Sequence, residues 1–146
     1  MQHKFKLRMA TLVLALLTMA IVPGMAWALG LGEIHSETRI GQPFTAKIPV
    51  LNASTGALQG LRVSLAGPEA YKKAHIGEPD YLFGLKFSVE RGPTGPYIQV
   101  TSKQSIKLPF LNLLIRARWA SGEVTRQYTV LLNPPVFVSR SNIQQP

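Results

Sequence analysis

The chain has 146 residues, 46% of them hydrophobic, and carries 16 Lys and Arg against seven Asp and Glu for a formal charge of +9. It has no cysteine, which excludes disulfide stapling, Cys-based metal sites and thiol redox chemistry and leaves an apolar core as the source of stability.

The first 28 residues read as a secretory signal peptide. A basic head (His3, Lys4, Lys6, Arg8) precedes an apolar run from Met9 to Val22, a break at Pro23-Gly24 and the small-residue end Ala26-Trp27-Ala28, with cleavage expected after Ala28. The run of 14 residues, at about 1.5 Å per residue, falls short of the roughly 30 Å hydrocarbon core, so membrane contact is expected only through an uncleaved leader. The remaining 118 of the 146 residues hold one domain and not two. Three basic residues leave with the leader and all seven acids stay, so this segment carries +6, from 13 basic and 7 acidic residues. An exported basic protein does not meet nucleic acid. The partners that suit it are an acidic protein face, an anionic glycan or wall polymer, or lipid headgroups.

Beyond the leader, period-2 alternation marks strands with one buried face. Glu33 to Ser36 is a first short strand. Phe44, Ala46, Ile48 and Val50 oppose Thr45, Lys47 and Pro49, and Leu61, Val63 and Leu65 oppose Arg62 and Ser64. Pro49 lacks an amide donor, which predicts an edge strand or a bulge and makes that edge, with Lys47, a candidate docking site. Pro68 to Ala74 is the one helical stretch, with proline in the first turn and Lys72 and Lys73 toward the C-terminal end. Leu85, Phe87 and Val89 oppose Lys86, Ser88 and Glu90. Ile98 and Val100 follow across the turn Gly92-Pro93-Thr94-Gly95-Pro96.

The last two strands form a hairpin. Placing its two-residue turn at Ser121-Gly122 sets Trp119 opposite Val124, Ala117 opposite Arg126, Ile115 opposite Tyr128 and Leu113 opposite Val130, and keeps large apolar groups together. Arg126 then lies over small Ala117, with its guanidinium at the sheet margin or against a carboxylate. Arg116 and Arg118 share the outward face and form the basic patch. Seven short strands with Gly and Pro punctuation predict an all-β, antiparallel, immunoglobulin-like sandwich with one short connecting helix. The tail from residue 136 to 146 turns polar.

Catalytic and metal-binding signatures are missing. HExxH, GxSxG and P-loop patterns do not occur, His35 and His75 stand 40 residues apart, and Glu78-Pro79-Asp80 sits in a proline-bearing loop with no strand to space its acids for hydrolysis. Asn52-Ala53-Ser54 matches the short glycosylation pattern. The expectation is a protein that is not an enzyme and carries no metal or cofactor.

Four segments occur in a recognisable order: LGLGEIHSETRIGQPFTAKIPVL, LRVSLAGPEAYKKAHI, LKFSVERGPTGPYIQVTSKQSIKLPFLNLLI and RWASGEVTRQYTVLLNPP. Over Leu29 to Pro135 they resemble the N-terminal periplasmic domain of the FimV-type polar scaffold and type IV pilus assembly family. The family pattern W-x-x-G…R-E-Y-T-V-L-L-D-P-P is met at Trp119, Gly122, Arg126, Tyr128 and Thr129, while Gln127 and Asn133 replace acids. If the missing acid at position 127 normally pairs with Arg116, that arginine is freer for a partner here. Longer members continue into a LysM module, a membrane span and an acidic cytoplasmic region, and nothing after Pro135 resembles these. The resemblance therefore implies a periplasmic interaction module that contacts a pilus-assembly or envelope protein, with Arg116, Arg118, Lys47 and Pro49 as its candidate surface. Binding of peptidoglycan through the basic face is the alternative.

Overall fold

Alternation of residue type becomes alternation of burial. In the computed structural model, which describes residues 28–77 and 84–136, β2 (Gln42–Leu51) buries Phe44, Ala46, Ile48 and Val50 and turns Thr45 and Lys47 to solvent. The other strands are β1 (Gly30–Leu31), β3 (Arg62–Leu65), β4 (Leu85–Gly92), β5 (Gly95–Ile106), β6 (Phe110–Trp119) and β7 (Gly122–Leu131). They form a four-stranded sheet in the order β1-β2-β5-β4 and a three-stranded sheet in the order β3-β6-β7, antiparallel throughout. Ile48, Ile98 and Val100 of one sheet and Leu111, Leu113 and Ile115 of the other lie in one core, all fully buried. This is the predicted sandwich. The leader before Ala28, Glu78-Pro79-Asp80 and the tail after Val136 lie outside the described residues.

Among the described residues two helices connect the strands, one more than expected. Helix α1 (Thr55–Gln59) spans five residues, too few to show a helical period, and is started by Ser54, whose hydroxyl accepts from the Ala57 amide at 3.2 Å. The Asn52-Ala53-Ser54 triplet thus supplies a helix cap. Helix α2 (Pro68–Lys73) has the predicted proline start and terminal lysines. Its Tyr71 is buried, and the Tyr71 hydroxyl accepts from the Leu114 amide at 2.9 Å, just where β3 stops pairing with β6.

Three local expectations are corrected. The first strand is Gly30–Leu31 rather than Glu33 to Ser36, of which only His35 bridges to Lys47. The Pro49 strand is not at an edge, because β5 pairs along one side and residues 30–35 follow the other: the Gly32 amide donates to the Pro49 carbonyl at 2.8 Å, and His35 and Lys47 exchange main-chain bonds at 2.9 Å. Proline is tolerated because the Gly32 carbonyl, which would otherwise take an amide there, accepts from the Tyr128 hydroxyl instead. A Cβ on Gly32 would come within 3.2 Å of the Pro49 ring, so any larger residue there would press on it.

The third correction concerns the hairpin. Its turn is Ala120-Ser121, with Trp119 opposite Gly122, Ala117 opposite Val124, Ile115 opposite Arg126 and Leu113 opposite Tyr128. A shift of two residues keeps every side chain on its predicted face, which is why alternation could not detect it. The decision is made at the tip. Trp119 Nε1 donates to Ser121 Oγ at 2.9 Å, and the indole lies so close over Gly122 that a Cβ there would stand 3.0 Å from its ring. One irregularity also marks the β2–β5 ladder between Pro43 and Thr45, where Ser102 Oγ accepts from the Phe44 amide at 2.8 Å and restores a lost main-chain bond.

Residues 29–41 close one open side of the sandwich. Their bonds to β2 are continued by buried Thr38, whose hydroxyl donates to the Thr45 carbonyl at 3.1 Å and accepts from the Thr45 amide at 3.0 Å. Toward the other sheet, Arg126 donates to the Leu31 carbonyl and pairs with Glu33, and the Tyr128 hydroxyl donates to the Gly32 carbonyl at 2.9 Å. Farther on, the Asn133 amide donates to the Thr38 carbonyl and the Ile40 amide to the Asn133 carbonyl. The carboxylate expected near Arg126 is therefore Glu33, and the guanidinium also lies 5.1 Å from the centre of the Tyr128 ring.

Burial pushes the Tyr128 phenol up to about 12, against the pull of the Arg126 charge. An unfolded tyrosine ionises near pH 10. The stability this group contributes is therefore complete below about pH 10 and is lost as the pH rises toward 12. Tyr128→Phe is expected to cost roughly 1–2 kcal/mol at neutral pH, because the Gly32 carbonyl loses its donor, and to flatten the decline in melting temperature between pH 10 and 12. Parallel thermal unfolding curves of the two proteins across that window would contradict the assignment.

Candidate interaction surface

Pairing of β3 with β6 gathers three arginines. Arg62 lies directly opposite Arg118, and Ser64 lies opposite Arg116. Facing residues share a face of the sheet, so all three guanidinium groups rise from the outward side of β3-β6-β7. Arg118 is neutralised across the β6–β7 ladder by its opposite residue Glu123, at 2.9 Å. Among the described residues no other ion pair reaches the cluster, and the Nε of Arg116 is buried without a hydrogen-bond partner. Three positive charges thus meet one negative charge. Thr125 faces Arg116 and Gln127 faces Leu114, so position 127 is diagonal to Arg116 rather than opposite it.

The arginines border a groove of about 610 Å³. It runs where the outer strands of the two sheets, β3 and β4, come together on the side opposite the N-terminal seam. Leu61 and Val63 line it from the β3 side and Phe87 and Val89 from β4. Val89 points inward with Leu85 and Phe87 by alternation, yet it is 37% exposed. The cause is a mismatch in length: β3 has four residues and β4 has eight, so part of the apolar face of β4 has no strand above it. A second hollow, bordered by Leu29, Val50, Ala57 and Trp119, has no charged residue in its lining.

The four residues singled out from sequence separate into two places. Arg116 and Arg118 stand together at the groove with Arg62, which in the sequence is an ordinary polar position on an alternating strand. Lys47 and Pro49 belong to the four-stranded sheet. Lys47 Nζ sits 5.1 Å over the ring of Tyr97, whose hydroxyl donates to Glu90 Oε2 at 3.0 Å; that bond, with burial second, raises the phenol above its usual value. The alternation that put Arg62 outward was visible, but its position opposite Arg118 depends on a pairing between residues 56 apart. Among the described residues no group of three or more His, Cys, Asp or Glu could hold a metal ion.

Like charges directly opposite one another weaken a sheet on the scale of 0.2–1 kcal/mol, less at high salt. Arg62→Thr should therefore leave stability unchanged or raise it by up to about 1 kcal/mol in low-salt urea unfolding, with the difference shrinking as sodium chloride is added. A loss of stability that salt does not alter would show that Arg62 is held by packing instead.

The comparisons with known proteins agree with this fold. A family model described as the FimV N-terminal domain, an Ig-like domain, matches residues 29–135. Two proteins called motility hub protein FimV, from Pseudomonas aeruginosa strains PAO1 and UCBPP-PA14, are each 37% identical to the chain over 141 residues. The match covers 95% of this chain and 15% of each relative, so the chain spans a small part of their length. No solved structure gives a significant match. By the extent of the family match, the chain belongs to the FimV N-terminal domain family.

Proposed function

We propose that this chain is a non-catalytic protein-interaction module that is exported to the periplasm by its leader and works beside type IV pilus assembly or envelope scaffolding machinery. The observation that carries the reading is the family match across residues 29–135, together with relatives named as motility hub proteins. The surface suits such a role. Among the described residues the sandwich is sealed on one side and open on the other, which offers a partner a strand edge, an apolar floor and a set of incompletely paired arginines in one place. Arg116 and Arg118 form the working part of this surface, and Lys47 and Pro49 carry less weight because the Pro49 edge is occupied by residues 30–35.

Periplasmic crosslinking of the tagged full chain in a piliated host, followed by pull-down and mass spectrometry, tests the reading. A pilus-assembly or envelope protein is the expected catch. Recovery of wall fragments alone, with salt-sensitive pelleting on purified sacculi, would overturn it in favour of direct binding to peptidoglycan through the basic face.

A further inference from the structure

We propose that the β3–β4 groove takes an extended polypeptide segment in which carboxylate and apolar side chains alternate, added as a strand to the outer edge of β3. The inference rests on the interaction-module reading and names its site and the chemistry of the partner. The edge comes first. The Ala66 amide donates to the Leu114 carbonyl at 2.7 Å and continues the register in which Leu65 faces Ile115. In an antiparallel ladder the bonding direction alternates along the strand. Arg62, Ser64 and Ala66 therefore turn their main-chain groups toward β6, and Val63 and Leu65 turn theirs away from it, toward the outer edge. An incoming strand would bond to those groups.

The two faces of such a strand meet different surroundings. Side chains of one parity would enter the space bordered by Leu61, Val63, Phe87 and Val89, where Val89 stands exposed although it lies on the inward side of β4. Those of the other parity would rise beside Arg62, within reach of Arg118 and Arg116. Charge selects the occupant. The cluster holds three arginines, and among the described residues only Glu123 pairs with any of them, so the outward parity calls for carboxylates. The chain's own tail beyond residue 136 carries Arg140 and no acid, and a second copy would bring a chain of net positive charge against the same cluster. A soluble polyanion would satisfy the arginines but leave the apolar floor uncovered. An alternating acidic strand satisfies both.

Fluorescence anisotropy with the protein and a dye-labelled synthetic peptide of alternating glutamate and valine tests this. A peptide of the same composition with its glutamates and valines in separate blocks, and one alternating lysine and valine, serve as controls. The alternating acidic peptide should bind, more weakly at high salt, and at least about tenfold more tightly than either control. The double variant Arg116→Gln/Arg118→Gln, both at a sheet surface, should lose about tenfold or more in affinity. Val63→Pro removes an outward amide without removing a β3–β6 bond. It should weaken binding about as much while circular dichroism shows the fold retained. Equal binding of the block peptide, or binding indifferent to the arginine variants, would overturn the proposal, as would arginine-dependent self-association in sedimentation. If the peptide binds as expected but no protein partner is crosslinked in the cell, the groove stands and the pilus or scaffold setting falls. Crosslinks that persist unchanged in the arginine variants would have the opposite meaning.

Discussion

The arrangement of the whole molecule depends on the way residues 29–41 stitch its two sheets together along one side. A sandwich of two open sheets has two open sides, and each exposes strand edges and the margins of the core. On the side of β2 and β7 the N-terminal segment fills the opening, bonding through Gly32, His35 and Thr38 to one sheet and receiving Arg126, Tyr128 and Asn133 from the other. Arg126 and Tyr128 lie on the inward side of their strand because their polar ends are spent on this segment's carbonyls. That explains how a charged and a phenolic side chain can follow Val124 and precede Val130 without interrupting the core. With no cysteine to hold the two sheets, these polar contacts do along the margin what the apolar side chains do in the centre.

The asymmetry that follows has functional weight. On the opposite side nothing comparable crosses from sheet to sheet among the described residues. The outer strands there are β3 and β4, and the shorter of the two leaves the inward face of the longer partly bare. Edges of this kind are normally blunted by short length, charge or cover. β3 is short and carries Arg62, and these features discourage pairing with a like copy, since the arginine cluster repels itself. They do not discourage a strand of opposite charge. One set of residues can thus guard the edge against self-association and select a partner.

Much of this was legible in the sequence, and what was not has a common cause. Period-2 alternation gave the face of almost every strand residue, from Phe44 to Val130, because burial follows local pattern. Proline and lysine placement identified α2, and the turn at Pro93-Thr94 was marked by its flanking glycines. Alternation sets the hairpin turn one position away from Ala120-Ser121 because a register shift of two preserves all faces, and what decides between the two is how the Trp119 ring rests on Gly122. Proline cannot complete a regular ladder and so points to an edge or a bulge, yet here the Gly32 carbonyl takes its donor from the Tyr128 hydroxyl and asks for none from position 49. The candidate site fared similarly. Arg116 and Arg118 announce themselves two residues apart, whereas Arg62 joins them only through a long-range pairing that the sequence does not encode locally.

A stable small domain has little reason to keep Arg62 opposite Arg118 on its own account. An exposed position on a four-residue edge strand accepts threonine, valine or glutamate at least as well, and glutamate would convert a repulsion into an attraction. Among the described residues Glu123 relieves only one of the three charges, and it does so from the β7 side, away from the groove. The same strand turns two sets of main-chain groups outward above an uncovered apolar surface. Each of these features is a small cost in the isolated domain, and a single bound strand of alternating acidic and apolar residues would offset all of them together. Their coincidence on the side that no described segment crosses is the physical argument for the proposed docking site.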